Sequence, residues 1–113
     1  MFPIFLRVPI LHVRAITFWF VVLWKYVYDA HGERHGLEED LVNHETIHYY
    51  QWGETWVLGF LVLYLWDFLK AWRRMSFWDA YRRIRFEQEA FEHEKDLEYL
   101  NDRNKNAWRE YEV

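Results

Sequence analysis

Hydrophobic and polar positions divide the chain into stretches of different pattern, and the first is strand-like. Residues 1–28 are rich in Ile, Val, Phe, Trp and Tyr and carry no helix-capping signal, which favours strands. We expect one or two short strands, or a hairpin, within residues 11–28; a hydrophobic helix over residues 15–28 is the competing prediction. Pro3 and Pro9 indicate extended or edge geometry around them.

The polar stretch that follows predicts a turn and then a helix. Two glycines among polar residues mark the turn at residues 29–36. Its histidines, His31 and His35, are four residues apart, but the glycines disfavour a helix, so we expect both to be solvated rather than metal ligands. Acidic residues at 38–40 complement the dipole of the next helix, which is predicted within residues 37–53.

A second apolar run, residues 56–66, is apolar on all sides and is followed by Lys70, Arg73 and Arg74. A helix with this pattern is either buried in protein or in contact with lipid. Tryptophans and basic residues at its end are typical of a cytoplasmic membrane surface, whereas a core helix with an exposed basic turn has the same pattern. Both interpretations stay open, since the run is too short to require a membrane span.

The last long helix is predicted to begin at Ser76, which forms an S-x-x-D capping pattern with Asp79. We expect it to run to residues 101–104, with a kink or restart around Arg85, and residues 104–113 to be a short helix or frayed. Together these elements predict an α+β fold, mainly α, with short N-terminal strands, a motif helix, an apolar helix and a long C-terminal helix.

Composition narrows the classes of function. A length of 113 residues suits one domain with a modest core. The chain has no cysteine, so a metal would need histidine and carboxylate ligands. Its net charge of −4 argues against nucleic-acid binding, and its 22 % aromatic content is high enough to suit a membrane interface. Without the basic segment of a signal peptide, we expect a cytoplasmic protein, either free or associated with a membrane.

The chemically distinctive motif is H-E-x-x-H, formed by His44, Glu45 and His48 in the predicted helix. Residues four apart share a helix face, so both imidazoles can aim at one point, where zinc could bind. Glu45 lies about 100° round the helix, where it could accept a proton from a metal-bound water. A catalytic zinc needs a third protein ligand.

Glu87 is the preferred third ligand, because it shares a helix face with the apolar residues Ala90 and Phe91 and so points to the core. A buried carboxylate without a partner is costly, and a metal ion is one such partner. Glu94 returns to the same face and could orient a ligand. The other candidates of this segment are expected on its solvated side: Glu89, Glu92 and His93.

With these residues the chain resembles the gluzincin class of zinc metallopeptidases, in which H-E-x-x-H is followed by a glutamate ligand in an E-x-x-A-D motif. Residues 87–90 match E-x-x-A, and Phe91 stands where the family often has aspartate, which leaves the support of the first histidine to Glu94, Asn43 or a backbone carbonyl. The layout of residues 38–103 is also similar to small bacterial proteins with an H-E-x-x-H core. The chain also resembles minigluzincins, single-domain members that show that this class can work at such a length.

The resemblance implies one Zn²⁺ held by His44, His48 and Glu87, with Glu45 as general base in peptide hydrolysis. An N-terminal strand would hold the peptide or protein substrate, and residues 108–113 could cover the cleft, as in self-inhibited minigluzincins. The candidates for stabilising the oxyanion are Tyr81, Arg82, Arg83 and His93.

Two other classes compete with the peptidase. The first is a membrane-associated structural or interaction protein whose metal site is degenerate or structural. The second, a di-iron or histidine-box oxidase, is disfavoured because only Glu45 with His48 forms the E-x-x-H pair of ferritin-like sites.

Overall fold

The computed structural model describes residues 3–11 and 13–113. Residues 1, 2 and 12 lie outside the described part, and His12 belongs to the stretch predicted to hold strands. Five short strands come first: β1 (Ile4–Arg7), β2 (Ala15–Phe18), β3 (Val21–Trp24), β4 (Val27–Tyr28) and β5 (Arg34–His35). They are followed by α1 (Glu39–Glu54), α2 (Leu58–Trp72), α3 (Phe77–Arg83), α4 (Arg85–His93), α5 (Tyr99–Asp102) and a 3-10 turn (Ala107–Glu110). The fold is α+β and mainly α, as the sequence predicts.

The N-terminal strands form a sheet in the order β1-β3-β2. Strands β2 and β3 are antiparallel and joined by Trp19 and Phe20, and β1 pairs parallel with β3. The strands predicted within residues 11–28 are therefore confirmed. The competing helix is wrong because branched and aromatic side chains here pair across strands. Strands β4 and β5 pair around the predicted turn.

Helix α2 is longer than the apolar run and is buried on one side only. Its fully or nearly buried residues, Phe60, Asp67 and Ala71, lie on one helical face, while the opposite face carries exposed apolar side chains. The helix therefore packs on the core with one face and leaves apolar side chains exposed on the other, and the two interpretations of the run stay open.

The predicted C-terminal helix is divided at Ile84, whose ψ of 130° is extended. Asp67 on α2 stabilises the break, because its carboxylate accepts hydrogen bonds from the main-chain N–H of Arg85 at 3.2 Å and from its guanidinium at 2.8 Å. The capping pattern at Ser76 is also confirmed, since its hydroxyl accepts a bond from the N–H of Asp79.

The expected continuation of this helix to residues 101–104 is wrong, because α4 ends at His93. The side-chain amide of Asn43 on α1 donates to the main-chain carbonyls of His93, Glu94 and Asp96 at 2.9 to 3.0 Å. These bonds satisfy carbonyls at the end of α4 and connect that end to α1, the helix that carries the H-E-x-x-H motif. The chain then turns and restarts as α5.

The core beneath the helices is aromatic. Phe60 stacks between Trp52 and Phe86, with ring centroids at 4.2 and 4.5 Å, and Trp108 packs on Phe86 at 4.9 Å. Trp108 is 4 % exposed and belongs to this core. That residues 108–113 cover a cleft stays a prediction.

Candidate metal centre

Helices α1 and α4 bring together the three side chains selected from the sequence. His44 Nε2 and His48 Nε2 lie 3.2 and 3.0 Å from the same oxygen, Oε1 of Glu87. The three residues are 4 to 5 % exposed, and their ligand atoms lie within 4.8 Å of one another. Two imidazole nitrogens and one carboxylate oxygen are a donor set that zinc binds, so the residues fit this metal.

The second nitrogen of each imidazole has a hydrogen-bond acceptor. His44 Nδ1 donates to Glu94 Oε2 at 2.9 Å, and His48 Nδ1 donates to Gln51 Oε1 at 2.7 Å. These bonds leave Nε2 as the nitrogen of each ring that faces Glu87, and each Nε2 can bind a metal once it gives up its own proton. Sequence reasoning named Glu94 but missed Gln51, although its position three residues after His48 puts both on one helix face.

Glu87 is also held through its other oxygen. The hydroxyl of Tyr64 on α2 donates to Glu87 Oε2 at 2.7 Å. Burial raises the pKa of the Tyr64 and Tyr81 phenols, and the negative charge of Glu87 raises both further. Both phenols therefore remain protonated donors, and Tyr81 lies close to the predicted metal site. Tyr64 had no signal in the sequence, because its helix is otherwise apolar.

Glu45, the predicted base, follows His44 on α1 and is not one of the converging ligands, but its negative charge contributes to the raised pKa of both histidines. It is 5 % exposed, and its Oε2 accepts a hydrogen bond from the Thr17 hydroxyl on β2 at 2.5 Å. The motif helix is thereby connected to a strand of the sheet. Thr17 could not be found from sequence, since 28 positions separate it from Glu45.

Electrostatics in the cluster favour a bound cation. Burial opposes protonation of His44, but its hydrogen bonds to Glu87 and Glu94 outweigh burial and raise its pKa to about 10. His48 behaves similarly, since burial lowers its pKa but the charge of Glu87 raises it overall. Burial raises the pKa of Glu87, yet the two histidines shift it well below its usual range. Protons and metal ions compete for the same imidazole lone pairs, so a metal that binds here must displace these protons.

Two of the residues predicted to stabilise the oxyanion have other contacts. The guanidinium of Arg82 lies 4.4 Å from the centre of the Phe91 ring, which itself packs on His44 at 4.7 Å. The ring of His93 stacks on Tyr99 at 3.7 Å and bonds the hydroxyl of Tyr111. Tyr81 remains a candidate because the charge of Glu87 raises its pKa, as it does for Tyr64.

The prediction for Glu89 is wrong, while Glu92 is exposed as expected. Glu89 is completely buried, and its carboxylate accepts bonds from Arg103 at 2.5 and 3.1 Å and from Tyr99 at 2.7 Å. Its neutralising cation comes 14 positions later in the chain, which a helical face pattern cannot show.

The turn histidines lie apart from these ligands. His31 is exposed, and His35 bonds Asp29 at 2.9 Å and also Glu38. Asp29, Glu33 and His35 could offer ligand atoms to an ion, but two of the three are exposed and the third is half-buried, so their mutual contacts suit a solvated turn.

Comparison with models of protein families, with curated proteins and with solved structures finds no match. Within residues 3–11 and 13–113, no single helix is long and apolar enough to cross a bilayer. The function must therefore be argued from the geometry of the site.

Proposed function

We propose that the chain is a zinc-dependent metallopeptidase of the gluzincin type, with one Zn²⁺ bound by His44, His48 and Glu87. The observation that carries the proposal is the convergence of both Nε2 atoms on one Glu87 oxygen while acceptors hold both Nδ1 atoms. Bound zinc would lower the pKa of a water molecule and polarise a peptide carbonyl.

The number of ligands supports a catalytic site. Among the described residues, the cluster contains three side chains that offer a ligand atom at this point. Catalytic zinc sites have three protein ligands and leave the fourth position to water, whereas structural sites are closed by four. Glu45 stands beside the ligands with its carboxylate oriented by Thr17, so it can take the proton from that water and pass it to the leaving amine.

The neighbouring strand supports a peptide as the substrate. Just before β2, the Arg14 carbonyl accepts a hydrogen bond from the N–H of Lys25, which follows β3. This bond fixes which residues of β2 point their main-chain groups toward β3. By the alternation of an antiparallel ladder, the main-chain groups of Ala15 and Thr17 point to the other edge of β2. No described strand pairs with that edge. An extended peptide bound there would lie beside Glu45, which Thr17 contacts.

The decisive experiment compares three variants with the native protein, all purified without a histidine tag. We expect one zinc per native chain and cleavage of peptides in a random library. Glu45→Gln should keep the zinc and lose about 10² to 10⁴ in rate, because it removes the general base. Glu87→Gln should lose zinc and cleavage together. Glu110→Gln, which changes an exposed acid, is the control and should match the native protein.

The alternative with specific support is a structural metal site in an interaction protein. Its support is the burial of the cluster, since the Phe91 ring packs on His44 and the Phe60 ring lies 6.2 Å from that of His48. One zinc per chain without cleavage by native protein would select this alternative. A folded native protein that takes up no zinc when zinc is supplied would overturn both.

A further inference from the structure

Helix α2 has a second apolar face that no described part of the chain covers. Exposed side chains recur at i, i+4, i+7 and i+8 along it: Leu58 is 73 % exposed, Val62 66 %, Leu65 57 % and Trp66 61 %. On α3, Trp78 is 67 % exposed and connects to α2 through Phe77, whose ring packs on that of Trp72. An amphipathic helix normally directs such a stripe to the core, but the core side of α2 is already occupied by Phe60 and its neighbours. Exposed apolar groups at this density mark an interaction surface.

The charge of this region is opposite to that of the rest of the chain. Residues 56–85 contain six basic and two acidic residues, whereas the other positions contain eight basic and sixteen acidic residues. Of the two acids, Asp67 is buried in its ion pair with Arg85, which leaves Asp79. Lys70, Arg73 and Arg74 are exposed at the end of α2. The apolar face is therefore bordered by positive charge.

Charge complementarity distinguishes between two possible occupants. A second copy of the chain that met this face through a two-fold axis would bring two faces of the same positive net charge together, which disfavours association. An anionic lipid surface instead attracts each exposed Lys or Arg and accepts the apolar side chains between its headgroups.

The dimensions of α2 fit a position in the plane of the membrane surface. Its 15 residues span about 22 Å, which is shorter than the hydrocarbon core of about 30 Å. Trp66, Trp72 and Trp78 are exposed along the face, and indole rings prefer the interface between headgroups and hydrocarbon.

We propose that this α2–α3 face, formed by the exposed side chains of residues 58–78, binds the surface of an anionic lipid bilayer. The inference goes beyond the proposed peptidase and does not depend on a metal. The ligand cluster lies on the inner side of α2, where Tyr64 bonds Glu87.

The test is co-sedimentation of the full chain with vesicles of phosphatidylcholine alone or mixed with phosphatidylglycerol. We expect binding to the mixed vesicles and at least tenfold weaker binding to the neutral ones. Removing two charges in Lys70→Ala/Arg73→Ala should weaken binding about 25-fold, at about fivefold for each charge. Lys95→Ala/Lys105→Ala, which removes two exposed charges elsewhere, should have no effect beyond twofold.

The apolar part is tested by Leu65→Glu with Leu97→Glu as its match, since Leu97 is 49 % exposed outside the face. Leu65→Glu should abolish sedimentation with vesicles and Leu97→Glu should not, with circular dichroism confirming that both variants fold. Equal binding of the two variants, or no binding of native protein to mixed vesicles, would overturn the proposal. A native dimer that Leu65→Glu converts to a monomer, without vesicle binding, would instead identify a second copy as the occupant.

Discussion

Two buried glutamates, two positions apart on α4, have different surroundings. Glu87 faces the imidazoles of His44 and His48, whereas Glu89 is held by the guanidinium of Arg103. Arginine is always charged, so the partner of Glu89 is permanent. Histidine gains a positive charge only by binding a proton, and its neutral form binds a metal. The Glu89 cluster thus contains its own positive charge, whereas the Glu87 cluster gains one only when a proton or a metal ion binds.

Gln51 connects the two clusters. Its amide donates to Glu89 Oε1 at 2.9 Å, and its carbonyl oxygen accepts from His48 Nδ1 at 2.7 Å. Because the amide group cannot reverse without losing both bonds, the cluster held by Arg103 fixes which atom of Gln51 faces His48. A buried glutamate is therefore informative about function only once its partner is known.

The largest expected effect comes from removing the permanent cation. Arg103 also makes two bonds to Glu54, at 2.7 and 2.8 Å, so Arg103→Met leaves two carboxylates without their partner. Breaking a buried ion pair from one side costs about 3 to 5 kcal/mol of unfolding free energy. Urea unfolding of metal-free protein measures this loss. At the exposed position Arg73, the same change to Met should alter the unfolding free energy by no more than about 0.5 kcal/mol. Equal losses in the two variants would refute the assignment of Arg103 as the stabilising cation of Glu89 and Glu54.

The second prediction separates the clusters by their response to zinc. At a free zinc concentration of 100 times Kd, native protein should gain about 2.7 kcal/mol of unfolding free energy. Glu87→Gln should gain nothing, because a ligand is lost, whereas Glu89→Gln should start from a lower stability and still gain. Urea unfolding with and without zinc measures both. A zinc response that survives Glu87→Gln would exclude Glu87 as a ligand.

A smaller effect is expected from Glu94, which bonds His44 and would act on the proposed metal only through that ring. Changing a residue that orients a metal-binding histidine typically lowers affinity about 10- to 100-fold. We therefore expect Glu94→Gln to weaken zinc binding by that factor in a chelator competition titration, with stoichiometry unchanged. The exposed Glu110→Gln serves as the control. Unchanged affinity in Glu94→Gln would show that His44 needs no such support.

The smallest effect concerns acid stability. Burial raises the pKa of Glu89, but the bonds from Arg103, Gln51 and Tyr99 outweigh it and lower the pKa below the ordinary 4.5. The unfolded chain then binds this proton more readily, so the contribution of Glu89 is present above pH 4.5 and is lost as the pH falls through its folded pKa. Urea unfolding across acid pH should show a shallower decline for Glu89→Gln than for native protein. Parallel declines would contradict this.

Features that depend on neighbours along the chain could be predicted from sequence. The helix that carries His44 and His48 could be predicted from the acidic residues at its start and from the spacing of the two histidines. Glu87 was selected because it shares a helix face with Ala90 and Phe91. The geometry brings these side chains together, while their chemical role remains a prediction.

Features that depend on distant partners could not be predicted. Glu89 looks solvated until Arg103 is placed beside it, and the helix break before Arg85 is stabilised by Asp67 from another helix. Thr17 reaches Glu45 across 28 positions. In each case the deciding contact joins polar groups whose pairing leaves no periodic trace in the sequence.

The burial of the candidate centre has a kinetic consequence. His44, Glu45, His48 and Glu87 each expose no more than 5 % of their surface, so an ion, like the carbonyl of a peptide substrate, would reach this centre when the surrounding structure opens locally. The residence time of a bound ion is then set by how often the protein opens. Removal by a strong chelator should proceed at a rate that stops rising with chelator concentration, and that limiting rate is the opening rate of the fold itself.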